Sequence, residues 1–126
     1  MKKIRLFDLK ISNKNQQRSL INAFKKVLNH GQFFLGPEVR EFEKQISSYL
    51  KSKYSIGVAS GSSALYLSLR ACGIGNGDEV ITTPLSWIIT SNAISSCGAV
   101  PVFVDIKDDL NINEKLIEKS ITKKTK

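Results

Sequence analysis

Two places in the chain carry residue types whose spacing suits chemistry. The first is Ser60-Gly61-Ser62-Ser63, which interrupts a short apolar run and opens a helix-like pattern reaching Leu69. Strand, small-residue turn, helix is an order that binds anions, because free backbone N–H groups and the positive end of the helix dipole face one spot. Gly61 relieves the steric limits of the turn, while Ser62 and Ser63 offer N–H and hydroxyl donors where the helix begins. A phosphate is the usual occupant of such a turn; a plain helix with a serine cap is the other reading of the same residues. The second place is Trp87, just past Thr82-Thr83-Pro84. An indole there sits on the same sheet edge as the Ser62 turn and can stack on a planar aromatic ligand. An ordinary core tryptophan is the competing reading.

Other polar residues offer less. Asp105 ends an expected strand, but Asp105-Ile-Lys-Asp-Asp-Leu110 also suits a turn with helix-capping acids. His30 is read as the last residue of a helix and not as a base. Asn92 lies inside an apolar helix and suits a structural hydrogen bond. The GxxxxGK[ST] phosphate loop is absent, and Gly73-Ile-Gly-Asn-Gly77 ends a helix where a dinucleotide fingerprint opens one. No Ser-His-Asp set or close pair of carboxylates can be assembled. With one histidine and two distant cysteines no metal site is expected. Cys72 and Cys97 are expected to be buried structural thiols.

Those candidates need elements to position them. Apolar residues at Leu20, Phe24, Val27 and Leu28 give a helix over about 15–29, closed by His30-Gly31. Leu35-Gly36-Pro37 is a turn, and a second helix follows to about Leu50. From Tyr54 the texture alternates: strands over 54–59, 79–83 and 100–105, helices over 62–72, 86–97 and 113–121. Such alternation implies βαβ crossovers and a mostly parallel sheet covered by helices on both faces, with any anion site at the carboxyl edge. The expected organisation is a helical arm over 1–53 followed by an α/β part over 54–126.

The composition is that of a globular protein, 41% hydrophobic and 24% charged. No apolar run approaches the roughly 20 residues of a membrane span. The charged start Met1-Lys-Lys-Ile-Arg5 is not followed by the apolar stretch of a signal peptide, so the expected compartment is the cytoplasm. A net charge of +8 raises nucleic acid as a partner, but the lysines are scattered and lack interleaved aromatics. Neither nucleic acid nor membrane is expected; the charge suits small anionic ligands.

The blocks taken in order resemble the N-terminal part of the DegT/StrS family of sugar aminotransferases, pyridoxal-phosphate enzymes of the aspartate-aminotransferase fold type. They are Phe34-Leu-Gly-Pro-Glu-Val-Arg-Glu-Phe-Glu43, Ala59-Ser-Gly-Ser-Ser-Ala-Leu65, Leu69 to Ile81, Trp87 to Ile94, and Pro101-Val-Phe-Val-Asp-Ile106. Residues 121–126 look like the family's approach to its next strand. The resemblance implies that Gly61, Ser62 and Ser63 hold the phosphate of pyridoxal 5'-phosphate and that Trp87 stacks on its ring. Ser62 stands where the family more often has Thr, and Leu85 where an aromatic is frequent.

It implies further that the chain is the start of a large domain. The lysine that carries the cofactor then lies beyond residue 126, and no catalytic residue is nominated within the chain. The implied activity is transfer of an amino group, usually from glutamate, to a keto-sugar linked to a nucleotide, by a homodimer. Two alternatives stay open: a sugar dehydratase of the same family, and a non-catalytic α/β phosphate-binding module.

Overall fold

The computed structural model describes residues 6–126, so the charged start lies outside the described residues. The chain forms two compact units, one through Gly57 and one from Val58 onward. In the first, α1 spans Lys14–His30 and α2 spans Pro37–Leu50. Asn13 starts α1 by accepting the N–H groups of Asn15 and Gln16 at 2.9 and 3.1 Å, and Gly31 ends it in the left-handed region. Pro37 occupies the first turn of α2, where a missing N–H costs nothing. The Gly57 N–H donates to the Glu43 carboxylate at 2.7 Å. Both helices carry the expected apolar stripe, but neither contains a buried residue.

The second unit contains α3 (Gly61–Ala71), β1 (Glu79–Thr82), α4 (Ile89–Ser96), β2 (Val100–Phe103) and α5 (Glu114–Ser120). β1 and β2 pair in parallel with Glu79 opposite Val100 and Thr82 opposite Phe103. A parallel pair needs a crossover, and α4 supplies it. This is the expected α/β architecture. α4 lies on both strands and α3 packs on α4. The core is the buried cluster Ile74, Ile94, Cys97 and Ala99, with Leu69 and Val80 packed against it. On the edge of β1 away from β2, Glu79 exchanges backbone hydrogen bonds with Lys124 and Lys126. The approach expected at residues 121–126 thus begins a further parallel pairing, a single bridge at Thr125.

Four expectations are corrected. Residues 54–59 do not form a strand: no ladder partner faces them among the described residues, and Ile56 stays 79% exposed. The helix expected from Ser86 begins at Ile89, because residues 84–86 bend out of β1 first. β2 stops at Phe103, since the Asp105 carbonyl turns to accept the Asn113 N–H at 2.8 Å. Cys97 is buried as expected, whereas Cys72 is exposed, lying just past α3 where the chain turns away from the core.

Gly98 ends α4 and delivers the chain to β2 with φ of 83°. A Cβ there would overlap Asn76 Oδ1, in a conformation L residues avoid. Gly98→Ala should therefore destabilise the second unit by about 1–3 kcal/mol. At Gly61 a Cβ meets nothing within 4 Å, so Gly61→Ala should leave stability nearly unchanged. Urea unfolding of the two variants side by side checks the contrast, and equal midpoints would refute it.

Candidate functional site

Because β1 and β2 are parallel and in register, their carboxyl ends Thr82 and Phe103 lie side by side. The chain leaves β1 there through Thr83-Pro84-Leu85-Ser86 and builds a shallow cleft of about 140 Å³, with Trp87, Thr90 and Phe103 in its lining. Trp87 is 79% exposed among the described residues. Its backbone is nevertheless held: the Thr90 N–H donates to the Trp87 carbonyl at 2.9 Å. The Ser86 and Thr90 hydroxyls share a hydrogen bond of 2.8 Å. Thr83 Oγ1 accepts the Leu85 N–H at 3.3 Å. An aromatic face open to solvent on a fixed loop can receive a flat ligand.

The other candidate residues begin α3. Ser60 is the N-cap of α3. Its Oγ accepts the Ser63 N–H at 3.1 Å and contacts the Ser63 hydroxyl at 3.0 Å. That leaves the N–H groups of Gly61 and Ser62, and the Ser62 hydroxyl, without partners among the described residues. The first turn of α3 contains no acid to offset the helix dipole. Two unpaired N–H groups, a free hydroxyl and an uncompensated dipole form a donor set that fits a phosphate. Ser63 has its N–H already engaged by the cap.

Both helices deliver the chain to the starts of the strands, α3 through residues 72–78 and α4 through Cys97 to Ala99. Both therefore finish at the amino edge of the sheet. The structure places Trp87 with Ser86, Thr90 and Phe103 at the carboxyl edge, while Gly61, Ser62 and Ser63 are not part of that cleft's lining. No lysine lines it either. Asp105 lies past β2 with its carboxylate turned to the Ile106 N–H at 2.8 Å, a local turn contact. Asn92 lies within α4 with its N–H on the Ile88 carbonyl. Among the described residues, no cluster of His, Cys, Asp and Glu could hold a metal. No helix of the described residues is long and apolar enough to cross a membrane.

Sequence reasoning passes over Ser60 as the cap and over the Ser86–Thr90 pair. The available signals are a serine three residues before Ser63 and two hydroxyl residues four apart at a helix start.

Comparison with known proteins decides what these elements belong to. The model of the DegT/DnrJ/EryC1/StrS aminotransferase family matches residues 14–126. The chain belongs to this family. A UDP-2-acetamido-2-deoxy-3-oxo-D-glucuronate aminotransferase of Pseudomonas aeruginosa is 38% identical over 124 residues, 98% of this chain and 34% of that protein. The crystal structure of DesV of S. venezuelae, in complex with a ketimine intermediate, superposes with a TM-score of 0.88 at 38% identity. The match covers 94% of this chain and 32% of that one. NtdA of Bacillus subtilis, with bound cofactor PMP, gives a TM-score of 0.85 at 37% identity, over 90% of this chain and 26% of that one. The chain thus spans about a third of the length of the aminotransferase relatives it matches.

Within the first unit of this family member, a second cleft of about 480 Å³ is lined by Lys26, Pro37, Glu38, Glu41, Phe42 and Gln45. His30 ends α1, as expected: its Nδ1 accepts the Gln32 N–H at 3.1 Å, and its Nε2 lies 3.1 Å from Glu38 Oε2. Lys26 Nζ lies 3.5 Å from the same carboxylate. The Glu38 carboxyl is held below its ordinary range chiefly by its own backbone N–H. Partial desolvation opposes this, and His30 and Lys26 add to the lowering. A depressed carboxylate contributes its contacts above the ordinary range and loses them as pH falls through the lowered value. An NMR titration should place the Glu38 midpoint below 4.5, and Lys26→Met should raise it only slightly, because the backbone is the larger cause. A midpoint at or above 4.5 contradicts the assignment.

Proposed function

We propose that the protein is a pyridoxal 5'-phosphate-dependent aminotransferase that moves an amino group from glutamate to the keto carbon of a nucleotide-linked sugar. The observation that carries this reading is the donor set at the start of α3, with Gly61 and Ser62 N–H groups unpaired in a chain of this family. Support for the substrate class comes from the Pseudomonas relative, whose name states a UDP-linked 3-oxo sugar acid. Support for the cofactor comes from NtdA, solved with PMP.

In this reading the Gly61 and Ser62 N–H groups and the Ser62 hydroxyl hold the cofactor phosphate, with the Ser63 hydroxyl beside them. Charge-assisted bonds of this kind contribute about 1.5–3 kcal/mol each. Trp87 lays its indole on the ring and keeps water from that face. The bound cofactor supplies an electron-withdrawing ring that stabilises negative charge on the carbon carrying the transferred nitrogen. Proton movement at that carbon is assigned to no residue of this chain, and neither is covalent attachment. The whole protein is proposed to work as a homodimer in the cytoplasm, and the net charge of +8 suits a diphosphate-bearing substrate.

Trp87 is the one tryptophan of these 126 residues, so the fluorescence of this chain reports on its own site. Pyridoxal phosphate should quench it, and pyridoxal without the phosphate should bind at least about tenfold more weakly. Ser62→Ala should cost roughly tenfold in affinity. Trp87→Ala, followed by cofactor absorbance, should cost about fivefold. In the full-length protein, glutamate and a UDP-linked keto-sugar should yield 2-oxoglutarate and an amino-sugar in equal amounts. Equal binding of pyridoxal with and without its phosphate would falsify the assignment of α3, and a sugar product lacking nitrogen would show a dehydratase instead.

A further inference from the structure

We propose that Thr90, through its bond to Ser86, is a positioning residue that holds the Trp87 loop in the conformation that presents the indole. The two hydroxyls lie on either side of Trp87 and meet at 2.8 Å. Thr90 also donates its backbone N–H to the Trp87 carbonyl at 2.9 Å. Two polar groups of one residue, its N–H and its hydroxyl, therefore act on the same short segment.

Helix capping does not account for the hydroxyl pair. α4 starts at Ile89 with Ile88 as its cap residue and no side-chain cap bond, and the Ser86 hydroxyl meets another hydroxyl instead of an orphan N–H. Thr90 also suits a positioning role because its branched Cβ restricts χ1, so little rotamer freedom is lost on fixing the hydroxyl. Among the described residues Trp87 is 79% exposed, so what holds its loop within this chain is hydrogen bonding. The restraint on this tryptophan's loop is polar and local.

Only the ligand that the indole meets rests on the function proposed above; the restraint does not. The experiment therefore has two arms on the full protein. With any tryptophan outside residues 1–126 replaced by phenylalanine, time-resolved anisotropy of Trp87 reads the restraint directly. Thr90→Val keeps the branch and removes the hydroxyl; it should shift the ratio of held to released loop by roughly two- to fivefold, seen as a larger fast depolarisation component. Thr90→Ser restores the hydroxyl and should return the wild-type decay. Ser86→Ala should reproduce Thr90→Val, and the double variant should add nothing further.

Unchanged fast depolarisation in both single variants overturns the proposal. If Thr90→Val loses its far-UV circular dichroism, Ser86→Ala decides alone. The second arm titrates pyridoxal phosphate. A two- to fivefold loss of affinity in Thr90→Val, rescued in Thr90→Ser, supports a positioning role in binding. A freer tryptophan with unchanged affinity overturns that role. Absence of quenching in the wild type, with the restraint intact, overturns the ring-stacking function of Trp87 and leaves the restraint standing.

Discussion

Everything presented at the carboxyl edge of the strands depends on one small apolar contact at the opposite edge. Ile94, Cys97 and Ala99 at the end of α4 meet Ile74 after α3, with Leu69 and Val80 packed against them. That contact fixes the ends of two helices against the starts of two strands. In-register pairing of β1 with β2 then decides what lies at the far edge, where Thr82 and Phe103 stand side by side. The chemistry-bearing residues contribute nothing to this cluster. The division follows from physics: a packed cluster tolerates no loose polar groups, whereas a ligand site needs groups that are still unsatisfied.

Helix starts show the same division. α2 and α5 begin with an acid, Glu38 and Glu114. The Glu38 carboxylate is held low chiefly by its own backbone N–H, and that of Glu114 chiefly by Lys107, which lies 2.9 Å away. Their positive ends are answered from within the chain. α3 has no acid in its first turn, but neither do α1 and α4, so the missing acid alone marks nothing. What separates α3 is the combination with glycine and serine at its first two positions. Their N–H groups stay unpaired, and open space stands where a Gly61 side chain would be. α1 turns its cap asparagine onto two of its N–H groups, and α4 begins on a bulky Ile88-Ile89 pair.

The elements legible in the sequence are those whose signals are local. Apolar spacing, with Gly31 and Pro37, places α1, α2 and α5 to within a residue or two. The turn after α3 is legible from its glycines, with Gly73 and Gly77 in the left-handed region. Residues 54–59 mislead because an apolar alternation describes a surface that fits a sheet, while a strand exists only where a neighbour accepts its hydrogen bonds. The start of α4 escapes for a related reason: Ser86 is a favoured cap residue, yet its hydroxyl is engaged by Thr90. At the site, the residue types are legible and the division of labour is not. The turn reads as a set of equivalent donors, whereas the cap bond sets Ser63 apart from Gly61 and Ser62.

Exposure by itself would be a poor guide to Trp87. Phe34 is 91% exposed and Leu6 89%, so a large apolar side chain in solvent is not unusual in this chain. A side chain that is exposed and free gains rotamer entropy, and nothing in folding restrains it. The Trp87 backbone is pinned at the carbonyl and bridged across by a hydroxyl pair, a restraint its neighbour Ile88 shares, its carbonyl accepting the Asn92 N–H at 3.1 Å. Ordering that loop costs conformational entropy, and among the described residues little of the indole is buried to offset it. The polar bonds that oppose the cost are each modest, about 0.5–1.5 kcal/mol net. A loop held by such bonds around an uncovered aromatic face is pre-organised: whatever stacks there meets a surface whose ordering cost was met during folding. That pre-organisation is a property of the bonds around the residue that composition and burial do not reveal.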